Sequence, residues 1–311
     1  MNTPIQQVGF INNNSLWVKR EDLILYSFGG NKARKAFLFF DEFDKGDYDC
    51  VVTYGTSHSN HCRVVANMAA QRHVTSYIIS PEEVMDLTFN HIMTSEFGAH
   101  FITVPVAQVH DTIEKLLADL QKKGLRPYFI QGGGHGNIGT EAYVNCYNEI
   151  LDFELNNDIH FDYIFLASGT GTTQAGLICG KLINHDEREI VGISIARQNP
   201  RGRGIILESV KDYLVSKEIS ISEKDIEVNT IFIDDYISGG YGISDSILLD
   251  FIKQVFIETG IPLDSTYTGK AYFGMSNYLY SNSIDDKKVL FLHTGGTPLF
   301  FDDIMKMYKD F

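Results

Sequence analysis

A lysine one residue into a helix is poorly placed as a surface charge and well placed as a nucleophile. Gly29-Gly30-Asn31-Lys32-Ala33-Arg34-Lys35 ends an irregular segment with two glycines and opens a helix from Lys32 to Phe43. Ala36, Phe37, Phe39, Phe40 and Phe43 give that helix an aromatic inner part. A cation in its first turn faces the positive end of the helix dipole, and partial burial adds to the cost. Both effects lower an amine's pKa toward the neutral, nucleophilic form. The bland alternative makes Lys32 a solvated charge, as Arg34 and Lys35 are expected to be. Choosing between the two requires a chemical partner elsewhere in the chain.

Three loops offer one. Ala167-Ser168-Gly169-Thr170-Gly171-Thr172-Thr173-Gln174 follows the apolar strand Tyr163–Leu166 and opens a helix. Its glycines let the backbone turn N–H groups inward, and its threonines add hydroxyl donors. The helix end adds a positive dipole, which together suit one phosphate. No GK[ST] closes the loop, and Gln174 stands where a dinucleotide fingerprint has its third glycine. Ser59, Asn60 and His61 open another helix after a strand and suit a carboxylate, or else merely cap it. Tyr241 and Tyr267 stand beside glycines at helix starts, where phenols can exchange protons or be ordinary half-buried tyrosines.

Strands and helices alternate throughout, so these loops belong to a doubly wound α/β chain with parallel sheets. Strands are expected at 48–54, 74–79, 100–104, 127–131, 161–167, 189–195, 228–233 and 287–293. Helices are expected near 62–72, 84–97, 108–123, 138–155, 173–184, 203–216, 243–259, 269–280 and 298–309. At 311 residues two domains are the default. A net charge of -14 argues against nucleic acid and anionic membrane as partners. No apolar run approaches bilayer length, and MNTPIQQVGF has no secretory pattern. Cys50, Cys62, Cys146 and Cys179 are too scattered for a disulfide frame or a thiolate metal site, so free thiols in a reducing cytoplasm are expected.

An amine nucleophile plus a single-phosphate loop suggests a Schiff base with pyridoxal phosphate. The chain resembles the D-cysteine desulfhydrase and 1-aminocyclopropane-1-carboxylate deaminase family, of the tryptophan-synthase-β-like (fold type II) pyridoxal phosphate enzymes. The matching pieces are KREDL (19–23), GGNKARK (29–35), SNHCR (59–63), SGTGTTQAG (168–176), YTGKA (267–271) and HTGG (293–296), in the family's order over nearly the whole chain.

The resemblance implies that Lys32 holds the cofactor and shuttles the Cα proton. It implies that Gly169, Thr170, Gly171, Thr172 and Thr173 cradle the 5′-phosphate, that Asn60 meets the 3′ oxygen and that Thr268 meets the pyridine nitrogen. Ser59, Asn60 and His61 would address the substrate, flanked by Tyr241 and Tyr267. It further implies two doubly wound domains, a large one of 1–44 plus 156–311 and a small inserted one of 45–155, in a homodimer acting on a small amino acid. Thr268 offers no carboxylate to hold the ring nitrogen protonated, which favours β-elimination from a substrate such as D-cysteine over ring opening of 1-aminocyclopropane-1-carboxylate. Two departures, His58 and Gly133-Gly134-His135-Gly136, fall in loops expected to face the substrate and leave its identity open. His293 is expected in the core, and Arg201 and Arg203 in a solvated turn. A Rossmann oxidoreductase lacks its acidic residue after the next strand (Gly192 to Ala196), whereas a silent cofactor carrier has no such objection.

Overall fold

Apolar runs of strand length cannot stay in water, and here they collect into two sheets clad by helices. The computed structural model describes residues 1–82 and 87–307. Its strands are β1 (Ile5–Ile11), β2 (Asn14–Arg20), β3 (Cys50–Tyr54), β4 (Thr75–Pro81), β5 (His100–Val104), β6 (Pro127–Phe129), β7 (Tyr163–Ser168), β8 (Glu189–Ser194), β9 (Ile231–Ile233) and β10 (Lys288–His293). One sheet runs β1-β2-β10-β7-β8-β9 and the other β5-β4-β3-β6. Neighbours pair in parallel except β1 and β2. That antiparallel edge departs from the wholly parallel expectation. Asn12 and Asn13, both at positive φ, make its tight hairpin turn.

The helices are α1 (Asn31–Lys45), α2 (Asn60–Gln71), α3 (Phe89–Glu96), α4 (Val109–Lys122), α5 (Asn137–Asn157), α6 (Thr172–Ile183), α7 (Arg201–Ser216), α8 (Glu223–Val228), α9 (Ser246–Thr259), α10 (Thr268–Ser281) and α11 (Thr297–Met307). The short α8 was not foreseen. Thr88 caps α3 through His91 N–H at 3.2 Å, so that helix starts later than residue 84. Residues 84–86 and 308–309 of the expected helices lie outside the described residues. Arg201 and Arg203 open α7 rather than a solvated turn, and the Arg203 guanidinium donates to the Thr230 and Glu227 carbonyls.

Two helices cross the expected division of the chain. Helix α1 buries Ala33, Ala36, Phe40 and Phe43 against Val51, Val64 and Met68 of the smaller sheet's layer. Helix α5 buries Tyr143, Tyr147 and Ile150 with Ile164, Leu166 and Ile178 of the larger one.

Arg34 and Lys35 are not solvated. Arg34, 5% exposed, binds Glu21 and Glu149, and Glu149 also accepts from Lys19. Glu21 accepts further bonds from Thr3 and Tyr143, so the network ties β2, α1 and α5 together. Lys35 Nζ is buried without a hydrogen-bond partner near the Tyr143 ring, and burial pushes this amine well below its ordinary value.

Candidate active site

Ligands of open α/β sheets bind where the strand-to-helix loops gather. Here loops after β3, β6, β7, β8 and β10 enclose a cavity of about 270 Å³. Lys32 stands in its wall, its Nζ donating to Gly133 O at 3.2 Å. Burial, and then the charge of Arg197, press this amine down to about 8. Helix α1 reaches this place because glycines allow it. A Cβ on Gly30 (φ 94°) would lie 2.8 Å from Thr294 O, and one on Gly295 would lie 2.6 Å from Gly30 Cα. Asn31 N–H bonds the same Thr294 carbonyl at 2.9 Å.

Facing the amine is the turn into α6. Gly169 and Thr170 line the cavity, while Gly171 (φ 88°) starts the helix with no side chain capping it. The first-turn N–H groups are thereby left for an anion. Thr172 and Thr173 are not in the wall. Thr172 Oγ1 lies 2.8 Å from His135 Nδ1, and Thr173 Oγ1 accepts from Asn31 Nδ2 at 3.0 Å.

Ser59, Asn60 and His61 line the opposite side. Ser59 Oγ accepts from Cys62 N–H at 3.2 Å, which leaves its own O–H to donate inward. Asn60 Oδ1 accepts from Asn90 Nδ2 at 2.9 Å and from Arg63 at 3.3 Å, which orients the amide with its N–H groups left over. His61 corrects an expectation. Thr53 Oγ1 donates to Ile130 O, so His61 Nε2, 2.9 Å from that hydroxyl, must be the donor. Burial and the charges of Lys32 and Lys35 hold the ring neutral, far below its ordinary value. The nitrogen that remains can only accept, which does not suit a substrate carboxylate.

Tyr241 and Tyr267 share a very short O–H···O contact, and Thr56 Oγ1 donates to Tyr241 at 3.2 Å. Burial, then Tyr241, push the Tyr267 phenol well above its ordinary value. Lys270, fully buried, donates to the carbonyls of Ile195, Ile237 and Gly240 and so fastens the loop that leads to Tyr241.

Thr268 is the second correction. It is buried outside the cavity wall, donating to Asp264 Oδ2 at 2.8 Å and accepting from Asp264 N–H at 3.0 Å. Asp264 gathers the N–H groups of Thr266, Tyr267 and Thr268 at the start of α10, and Thr294 and Gly295 line the cavity there instead. His58, 7% exposed, stands edge-on to Tyr241 outside the wall, and His135 lines an adjoining cavity. His293 is fully buried against Pro262 O, as expected.

Arg63 and Asn90 were missed, although they orient Asn60. Arg63 is fully buried, donating to Asn90 Oδ1 (2.7 Å) and Ser27 (2.9 Å). Its spacing of three from Asn60 on a helix was a usable signal. Asn90 comes from a different helix and gave none. Asn90→Ala is expected to weaken cofactor binding about tenfold, the size of one charge-assisted hydrogen bond, as read by titrating cofactor into apoprotein. An unchanged dissociation constant would remove Asn60 from the cofactor's partners.

None of the described residues lining the cavity is Asp or Glu, in a protein of net charge -14. The site is built for anions and carries an amine of lowered pKa.

A family model for pyridoxal-phosphate dependent enzymes matches residues 1–295. The chain is 30% identical over 315 residues to the D-cysteine desulfhydrase of Serratia proteamaculans, spanning 96% of this chain and 92% of that protein. It is 29% identical over 324 residues to the mitochondrial bifunctional D-cysteine desulfhydrase/1-aminocyclopropane-1-carboxylate deaminase of Arabidopsis thaliana, spanning 98% and 79%. The crystal structure of a 1-aminocyclopropane-1-carboxylate deaminase homologue superposes with a TM-score of 0.88 at 29% identity, over 99% of this chain and 94% of that one. A depressed lysine amine, an uncapped glycine-rich turn and a family match over nearly the whole length lead to one conclusion: the chain belongs to the pyridoxal-phosphate dependent enzymes, with the fold of a 1-aminocyclopropane-1-carboxylate deaminase homologue.

Proposed function

We propose that this enzyme eliminates the β-substituent of a small amino acid, as a D-cysteine desulfhydrase does, giving pyruvate and ammonia. The residues present fit the cofactor. Lys32 Nζ supplies the anchoring amine, the uncapped turn at Gly169–Thr173 supplies N–H groups for the phosphate, and Asn60 has amide N–H groups for a ring oxygen. Once bound, pyridoxal phosphate is an electron sink for bonds at the amino acid's Cα.

Lys32, its basicity lowered by burial and Arg197, accepts the Cα proton and returns it. Ser59 donates its hydroxyl to the substrate carboxylate. Tyr267 stays protonated and holds Tyr241, so the pair keeps a neutral O–H beside the leaving group. The Cα–H and C–S bonds break, hydrogen sulfide leaves, and the released enamine takes up water to yield pyruvate and ammonia.

The observation that carries elimination over ring opening is the wall of the cavity, which has no Asp or Glu among the described residues. A ring nitrogen without a carboxylate suits rapid loss of a leaving group more than prolonged storage of a carbanion. Ring opening of 1-aminocyclopropane-1-carboxylate is the second reading, supported by the tyrosine pair and the deaminase-like fold. The proposed enzyme is a homodimer, and four buried cysteines outside any disulfide are in keeping with a reducing cytoplasm. Its small inserted domain, about 45–155, lends α5 to the large sheet.

The test is a visible spectrum of the purified protein, borohydride reduction and peptide mapping, expected to place the added mass on Lys32. Keto-acid release is then assayed with D-cysteine, D-serine, L-cysteate, diaminopropionate and 1-aminocyclopropane-1-carboxylate. D-cysteine should lead, and a fast cyclopropane substrate would reverse the ranking. No turnover across the panel would favour a silent cofactor carrier.

A further inference from the structure

Beside the cavity lies a second one of about 230 Å³. Tyr54, Gly132, Thr170 and Arg197 line both, so the two cavities adjoin at these residues, the one with Lys32 being termed the inner chamber and its neighbour the outer. The roles assigned above use only the inner one. Gln131, His135 and Glu208 give the outer chamber polar walls.

Arg197 is the conspicuous group at this junction. Its carbonyl accepts from Ser194 Oγ, which fixes the turn after β8. Its guanidinium Nη1 is buried with no hydrogen-bond partner. No salt bridge joins it to a carboxylate among the described residues. Glu208, which shares the outer chamber, is exposed and makes no salt bridge with it. The charged group that acts on it most is another cation, with the Tyr54 phenol opposing. Arg201 lowers its basicity after burial does, and Arg197 in turn depresses Lys32 and His135. Arg197 as a whole is half-buried, but a buried Nη1 on a cation without a counter-charge is costly, and the partner that suits it is an anion. The cofactor's phosphate has its own donors in the uncapped turn of α6.

We infer that Arg197 reads an anionic group at the far end of a substrate's side chain, so that beyond a plain thiol the substrate class extends to α-amino acids whose β-substituent carries a carboxylate, sulfonate or phosphate into the outer chamber. This inference rests on the lyase reading and extends it. The reactive bond stays in the inner chamber beside Lys32 and the tyrosine pair, and the charged end passes Tyr54 and Thr170.

The experiment compares two isosteric compounds, S-carboxymethylcysteine and its neutral amide S-carbamoylmethylcysteine, in both enantiomers, on the holoenzyme. The wild-type enzyme should prefer the acid by at least about tenfold in kcat/KM, the size of one charge-assisted hydrogen bond. In Arg197→Met the two should fall within about twofold of each other, through a raised KM for the acid. Arg197→Lys should keep part of the preference, because the charge remains without the planar fork. Melting curves of both variants exclude misfolding. Equal use of acid and amide by the wild type overturns the inference while leaving the lyase reading intact, and so does an equal loss on both in Arg197→Met. A weaker cofactor affinity in Arg197→Met with an unchanged acid-to-amide ratio overturns it too, assigning the guanidinium to the phosphate. If D-cysteine and both compounds release no pyruvate, the lyase reading fails. Calorimetric binding of acid and amide then decides on Arg197 separately, with equal affinity overturning the assignment and tighter binding of the acid upholding it.

Discussion

Lys32→Ala is expected to lower turnover by at least about a thousandfold, the range of a lost proton-transfer group. The uncapped turn of α6 and Asn60 remain in this variant, so cofactor should still bind, more weakly and without any label fixed by borohydride. The wild type carries a companion expectation. The neutral amine is the nucleophile, and burial with the Arg197 charge has brought Lys32 to about 8. Capture of cofactor by apoprotein should therefore speed up as pH rises and level off above about 8, two units before an ordinary lysine. Stopped-flow absorbance checks both. A rate still climbing at pH 10 would mean that Lys32 is solvated, and wild-type-like turnover in Lys32→Ala would place the chemistry on another residue.

The second large effect is on stability. Glu21→Ala should cost about 3–5 kcal/mol, because it strands buried cations rather than trimming a surface pair. Glu21 is fully buried, and its carboxylate accepts from Arg34, Thr3 and Tyr143 with Lys19 at 4.0 Å. Without it, Arg34 and Lys19 keep only Glu149 among these carboxylates. Burial works to raise the Glu21 pKa, but Arg34, Lys19 and the Thr3 hydroxyl outweigh it and hold the group below its ordinary value. A depressed carboxylate contributes stability that is present above its unfolded pKa and fades as pH falls through the folded one. The wild type's advantage should thus be constant above about pH 5 and shrink below it. Urea unfolding at pH 7 and pH 3.5 measures this. An equal difference at both values would show that Glu21 acts through packing alone.

Much of the candidate site could be read from spacing, because the glycine-rich turn into α6, Lys32 and the Ser59–His61 helix start are each built from adjacent residues. A strand, two glycines and a helix start specify their geometry locally. What escaped depends on residues far apart in the chain. Arg34 and Lys35 look solvated in a lysine-rich run, and only the fold brings Glu21 and Glu149 to one and the Tyr143 ring to the other. Thr268 follows a tyrosine in a promising motif, yet Asp264 four residues earlier claims its hydroxyl. His61 offers two nitrogens in the sequence, and Thr53 and Ile130 decide which of them is left. Arg197 directly follows a segment, Gly192 to Ala196, notable in the sequence only for lacking an acid, and its orphaned Nη1 shows only once the two chambers are assembled.

The cavity wall draws on loops of both sheets, from Lys32 and Tyr54 through Gly132, Gly169 and Arg197 to Gly295. A ligand that fills it acts as a tie between the layers of the two sheets, beside the crossing helices α1 and α5. Saturation at a hundred times the dissociation constant adds about 2.7 kcal/mol to the folded state. That increment falls on the seam, not on either core. Cofactor-loaded protein should therefore melt in one sharp step, and stripped protein in a broader one that starts earlier, so that calorimetry becomes a gauge of cofactor occupancy.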